Sequence, residues 1–212
     1  MKLRFKKKYM DVGTPEFLWM RATMPISTGG ADLAECLHII EQINGSDESW
    51  VTEWNKKGDQ LSEAAVKHIG NKKIVTAKNE LLRASTYFRT AMMRCKAASK
   101  QADELLTKSR ECYIQALTYI NTSVEFVKIP FGEHLLPAYY VNSGKSNSPT
   151  LIGINGGDST NEEMFNLLGF AAIERGWNCL DLNYKLSKLS FFGINFYFTS
   201  MCFYNIIAHT QS

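Results

Sequence analysis

From Ala31 the apolar positions recur every three or four residues, at Leu33, Leu37, Ile40 and Ile43, until Asn44-Gly45 closes the run. That spacing lines one face of a helix. Ser46 then stands as an N-cap, with Asp47 and Glu48 in the first turn of a second helix carrying Trp50, Trp54, Leu61, Ala64 and Ala65. Gly70-Asn71 breaks the pattern. A third helix follows with Ala77, Leu81, Ala84, Phe88, Ala91, Met92 and Cys95 on one stripe, and a fourth with Leu105, Leu106, Cys112, Tyr113, Ala116, Leu117 and Ile120. Ahead of these helices, residues 1–30 hold Gly13, Pro15, Pro25, Gly29 and Gly30 among scattered apolar positions, a pattern of short elements and turns.

The period changes after Asn121-Thr122-Ser123. Residues 124–131 alternate apolar and polar positions, and 135–141 form a second extended run beyond the Gly132-Glu133 turn, so together they read as a β-hairpin. Pro137 inside the second run predicts an edge strand or a bulge, because proline cannot donate to a ladder. After the polar loop 142–149 come a short apolar strand (150–155, TLIGIN), an amphipathic helix (161–175) ending at Gly176, and a further strand (177–182, WNCLDL). Strand, helix and strand in that order predict a βαβ unit of a parallel sheet. The fold class expected is therefore a helical domain (1–122) followed by an α/β part (123–182, hairpin then βαβ), with an atypical tail at 183–212.

Composition narrows the picture. In 212 residues the hydrophobic fraction is 45% and the net charge +3, concentrated in Lys2, Arg4, Lys6, Lys7 and Lys8, while the middle alternates signs. This distribution argues against an extended nucleic-acid footprint. The five cysteines are widely spaced without a C-x-x-C pair, so neither a zinc cluster nor a disulfide framework is expected, and no organic cofactor is suggested. The basic start is not followed by an apolar run, and the default expectation is a cytoplasmic protein. Residues 189–208 carry no formal charge, a length that permits a membrane span, yet Asn195, Thr199, Ser200 and Asn205 with many aromatics lower its tendency to insert. A membrane role is therefore not the favoured expectation.

The stretch Gly156-Gly157-Asp158-Ser159-Thr160 lies where the 150–155 strand ends and the next helix begins, the place where ligands bind in open α/β sheets. Paired glycines let the backbone approach a ligand, and N–H groups at a helix start stabilise negative charge. Two readings stand beside each other: a ligand loop, and a helix cap at Ser159 or Thr160 with Glu162 and Glu163 in the first turn. Ser146 in Gly144-Lys145-Ser146 lacks the leading glycine of a phosphate loop, since Tyr139 occupies that position. His68, near the end of a polar helix, reads as a solvated side chain.

Several linked motifs occur in order: Trp50, Trp54 and Gly58 in W-x-x-x-W-x-x-x-G; A-x-x-x-L-x-R-A-S-x-Y-F-R-x-A from Ala77; V-x-F-V-x-I-P-F from Val124; L-P-A-Y from Leu136; N-G-G-D-S-x-x-E-E from Asn155; and A-A-x-E-R-G-W-N from Ala171. Over roughly residues 45–181 the chain resembles the FrsA-like and 2,6-dihydroxypseudooxynicotine hydrolase-like family of α/β-hydrolases. The resemblance implies a serine hydrolase of ester, amide or carbon–carbon bonds, with a helical domain ahead of the catalytic domain, a small-molecule substrate and often a homodimer. It assigns Gly157 and Asp158 to the oxyanion hole, with Gly156 and Ser159 in the same loop.

The departure is as informative. No G-x-S-x-G occurs in the chain, residues from 183 onward bear no likeness to the family, and His38, His68 and His134 all precede the expected nucleophile. The only later histidine, His209, stands three residues from the end. Three origins of 183–212 fit: sequence read through an intron or frameshift, a tail anchor, or a natural extension. The expectation is a fragment of a serine hydrolase, inactive as given; the alternative is a non-catalytic helical interaction module, tethered or not by its apolar tail.

Overall fold

Short polar side chains start most helices of the N-terminal half. The computed structural model describes residues 14–131, 133–155, 159–182 and 206–208. It divides into two units, Met1–Tyr119 and Ile120–Ser212. The first unit holds α1 (Pro15–Thr23), a 3-10 turn (Met24–Thr28), α2 (Leu33–Gln42), α3 (Asp47–Gly70), α4 (Ile74–Met92) and α5 (Lys100–Leu117). Thr14, Asp32, Ser46 and Ser99 each accept from a backbone N–H three residues on, satisfying donors the first turn leaves open. Two helices stop earlier than their apolar stripes suggest. After Met92 and after Leu117 the N–H groups of Arg94, Cys95, Thr118 and Tyr119 bond three residues back, tightening the chain out of α geometry.

The core of this unit lies along α3, α4 and α5. Trp50 and Trp54 face α4, the Trp50 indole donates to the Thr90 carbonyl at 2.9 Å, and the rings of Trp54 and Tyr87 sit 5.3 Å apart. Gly58, one further turn along, faces Phe88, so the W-x-x-x-W-x-x-x-G spacing is a helix-packing stripe. Ser85 and Ser109 hydrogen-bond across the α4–α5 crossing at 3.1 Å, where small side chains let the helices approach.

Two expectations are corrected here. The stripe of α2 is rotated: Leu33 and Leu37 are 49% and 43% exposed, whereas Cys36, Ile39, Ile40 and Ile43 are buried. A polar network sets this rotation. Tyr87 donates to Glu35 at 2.8 Å and accepts from the Asp32 N–H at 3.1 Å, while Lys57 and Arg83 pair with Glu35 at 3.2 and 3.0 Å. His68, in turn, is not simply solvated: its Nδ1 lies 2.7 Å from Glu80 Oε2, tying α3 to α4.

The second unit is built on a sheet of order β1-β2-β4-β3-β5, with β1 (Val124–Phe131), β2 (His134–Val141), β3 (Thr150–Ile154), β4 (Asn178–Leu182) and β5 (Ile206–Ala208). β1 and β2 form the antiparallel hairpin, and β3 and β4 run parallel with α6 (Asn161–Arg175) between them in sequence. This is the hairpin-then-βαβ architecture, preceded by a helical unit. β2 is not an edge strand, contrary to the reading of Pro137, since it pairs with β1 on one side and β4 on the other. Pro137 is tolerated because the described β2–β4 ladder begins one residue later, at Ala138↔Leu182. β5 pairs antiparallel with β3 through 150–152 and 206–208.

Helix α6 packs against β2, β3 and β4. Phe165 is fully buried, its ring 5.6 Å from that of Tyr139. At the helix end Gly176 adopts φ +67, and its N–H and that of Trp177 return to Ile173 and Ala172, a glycine-terminated C-cap. Among the described residues no helix is long and apolar enough to cross a membrane. The uncharged stretch 189–208 lies outside the described residues apart from 206–208.

Candidate functional site

The C-terminal end of β3 and the start of α6 meet at a short connection. Gly156, Gly157 and Asp158 lie outside the described residues, but both ends of their loop are placed. Asn155, buried at the end of β3, donates from its backbone N–H to the Leu182 carbonyl at 3.4 Å and from Nδ2 to the Ser159 carbonyl at 3.0 Å. The Asn155 side chain thus straps one end of the loop to the other. Ser159 is buried, and Thr160 rather than Ser159 caps α6, accepting from the Glu163 N–H at 3.3 Å.

The first turn of α6 is anchored to the sheet by polar contacts. Tyr139 on β2 donates to Glu162 Oε1 at 3.0 Å, and Asn161 Nδ2 donates to the Pro137 carbonyl at 3.2 Å. Glu162 and Glu163 therefore lie at the positive end of the helix dipole, where carboxylates are favoured. A helix N-terminus in general suits an anion or a developing oxyanion.

Asp181 on β4 lies on the same row, paired with Tyr139 across the antiparallel ladder and with Gly153 across the parallel one. It has no solvent exposure. Burial chiefly, and the Glu162 charge next, push its carboxyl up to about 9, with the Phe165 N–H pulling it back down. Sequence reading passed over Asp181, Tyr139, Glu162 and Asn155 as site features. The available signal was a charged residue inside the otherwise apolar WNCLDL strand.

Other chemistries find less support. Burial lifts the thiols of Cys36, Cys112 and Cys179 to about 11, 12 and 12, which leaves them protonated and poor nucleophiles at neutral pH. Among the described residues no three His, Cys, Asp or Glu side chains gather where a metal ion would be held.

No family model matches the chain. It is 28% identical over 184 residues to "Hydrolyase poxO" of Penicillium oxalicum, covering 83% of this chain and 42% of the relative. With "Alpha/beta hydrolase xenA" of Xenoacremonium sinensis it shares 29% identity over 165 residues, 74% of this chain and 38% of the relative. The solved structure of the 2,6-dihydroxy-pseudo-oxynicotine hydrolase superposes with a TM-score of 0.62 at 16% identity, covering 75% of this chain and 44% of that one. The chain thus spans about two fifths of the length of the curated relatives it matches.

Proposed function

We propose, from the premise that the chain is related to the α/β-hydrolases over the part it spans, that it carries the N-terminal portion of a serine hydrolase acting on a small molecule. In this reading the backbone N–H groups of Gly157 and Asp158 stabilise the tetrahedral intermediate of ester, amide or carbon–carbon cleavage, and Gly156 and Ser159 shape their loop. The nucleophile, the acid and the histidine come from sequence other than residues 1–182. The observation that carries the reading is the junction of β3 and α6. β3 ends at Ile154, the next residue Asn155 donates to the Ser159 carbonyl, and a Thr160-capped helix N-terminus follows.

As written the chain lacks a G-x-S-x-G, so catalysis by this mechanism is expected to be absent from it. Transcript sequencing from the Gly176 codon onward, followed by labelling with a fluorophosphonate probe, tests both statements. A longer product labelled at a serine beyond residue 182, with the 212-residue chain unlabelled, supports them. Specific labelling of the 212-residue chain, or a transcript that ends as written, removes the proposal.

One observation favours the alternative of a helical interaction module. Val66 and Val75, near the α3–α4 turn, are 63% and 72% exposed. If that surface serves a protein partner, replacing both by Ser weakens co-purification of the partner and leaves the helical unit folded; unchanged co-purification dismisses it.

A further inference from the structure

Around the turn between α3 and α4 the chain carries charge of one sign only. From Ala64 to Asn79 there is no Asp or Glu, while Lys67, Lys72, Lys73 and Lys78 all fall in that stretch. Elsewhere in the helical unit the signs interleave, as in DESWVTEWNKKGDQ of α3 and KQADELLTKSRE of α5. Lys67, Lys72 and Lys73 are exposed, and among the described residues none of the four lysines has an ion-pair partner. The bounding acids are Glu63 and Glu80, and Glu80 is buried against His68.

Apolar side chains stand in the open among these cations: Val66, Ile74 and Val75 are all exposed. The backbone holds the group in place. The Lys72 N–H donates to the Ile69 carbonyl at 3.0 Å and the Lys73 N–H to the His68 carbonyl at 2.8 Å, the bond pattern of a Schellman turn. Its left-handed position, at φ +58, is filled by Lys72, where a glycine would be free of strain. Helix α4 then starts with no side-chain cap and no acidic residue in its first turn, so its dipole adds to the field of the lysines. Neighbouring segments supply no counter-charge. Residues 24–31, which reach this end where a Cβ on Gly29 would meet Asn79, are uncharged, and α5 carries no charge after Glu111.

We propose that the α3–α4 turn docks on an anionic lipid surface, with Lys67, Lys72 and Lys73 at the level of the phosphates and Val66, Ile74 and Val75 entering the boundary between headgroups and acyl chains. A cluster of lysines and aliphatic side chains matches such a layered partner, because lysine stems lie along apolar surface while their ammonium groups stay with water and phosphate. A protein partner fits this composition less well. Protein interfaces are enriched in aromatic residues and arginine and depleted of lysine, whereas residues 64–79 hold four lysines, no arginine and no Phe, Tyr or Trp. A single-stranded nucleic acid would likewise find no aromatic ring to stack on. The docking needs no membrane-spanning helix and does not rest on the hydrolase reading.

Co-sedimentation of the 212-residue chain with phosphatidylcholine vesicles, with and without phosphatidylserine, tests the proposal. Lys2, Arg4, Lys6, Lys7 and Lys8 could also hold an anionic vesicle, so every comparison is made in a K6Q/K7Q/K8Q background as well as in the wild type. Binding is expected to require phosphatidylserine and to weaken as added salt shortens the screening length. Each lysine near such a surface contributes about fivefold to the partition coefficient, so K67Q/K72Q/K73Q should lose roughly a hundredfold. V66S/V75S leaves the charge unchanged and should also lose binding, which a purely electrostatic attraction would not show. Because all five positions are exposed, circular dichroism and the urea midpoint should match the parent chain. Binding that ignores phosphatidylserine, or either of these two variants binding as its parent does in the K6Q/K7Q/K8Q background, overturns the docking. So does a protein that co-purifies through Val66 and Val75 while vesicles are left unbound.

Discussion

Gly58 on α3 lies against the ring of Phe88 on α4, so closely that a Cβ at residue 58 would fall 2.6 Å from Phe88 Cε1. Phe88 is 1% exposed, and Lys108 of α5 covers its ring at 5.1 Å, so the ring has little freedom to withdraw. The third position of the W-x-x-x-W-x-x-x-G motif is thus fixed by the approach of two helices.

Replacing Gly58 by Ala sets overpacking of about 1–3 kcal/mol against a gain in helix propensity of about 1 kcal/mol. The expected outcome is a net loss of stability of the helical unit, read as a lower urea midpoint. In an F88L background the same substitution should cost less, since the ring that meets the new methyl is gone. Equal costs in both backgrounds would locate the clash elsewhere.

Trp50 closes the end of α4. The Thr90 carbonyl belongs to the last turn, where helical carbonyls lack intrahelical donors, and the indole N–H supplies one at 2.9 Å. Trp50→Phe keeps an aromatic ring but removes that donor in a buried setting, for an expected loss of about 1–3 kcal/mol. Denaturation of the variant, with the Phe ring and the Trp54 contact otherwise retained, measures it.

Cysteine reactivity should separate the thiols. Burial raises Cys36 to about 11 and Cys112 and Cys179 to about 12, so at about pH 8 roughly one Cys36 in a thousand is thiolate and fewer still of the other two. Cys95 is also raised by burial but is less enclosed. Of these four, Cys95 is expected to take iodoacetamide first at neutral pH, with the others modified only after denaturant is added or as pH climbs toward their own values. Mass-spectrometric mapping of the alkylated peptides checks the order, and early modification of Cys112 or Cys179 contradicts the packing described here.

Much of the local architecture was legible in the residues. Ser46 followed by Asp47 and Glu48 marks the start of α3, and Gly176 after Arg175 marks the end of α6, because caps and C-terminal glycines act within a few residues of the chain they terminate. The hairpin and the β3–α6–β4 order could be read in the same way, from alternation, turn residues and the switch of period. The rotation of α2 was not legible. Its apolar residues surround most of the helix, and which of them turn inward is set by Glu35 reaching Tyr87, Lys57 and Arg83, two of which stand near fifty residues away on another helix. The partner of His68 was not legible for the same reason: nothing in its neighbourhood announces Glu80, twelve residues on.

The sequence by itself determined where most elements begin and the order of hairpin and strand–helix–strand, since each of these is decided by short-range backbone chemistry. Only the tertiary structure decided that Pro137 sits in an interior strand just outside its second ladder, that Asn155 reaches the Ser159 carbonyl, and that Asp181, Gly153 and Tyr139 share one buried row with Glu162 of α6 bonded to Tyr139. Those relationships depend on strand register and on the face that α6 covers. A side chain's charge, burial and partner are settled by neighbours brought together in space, whose identity no local pattern encodes.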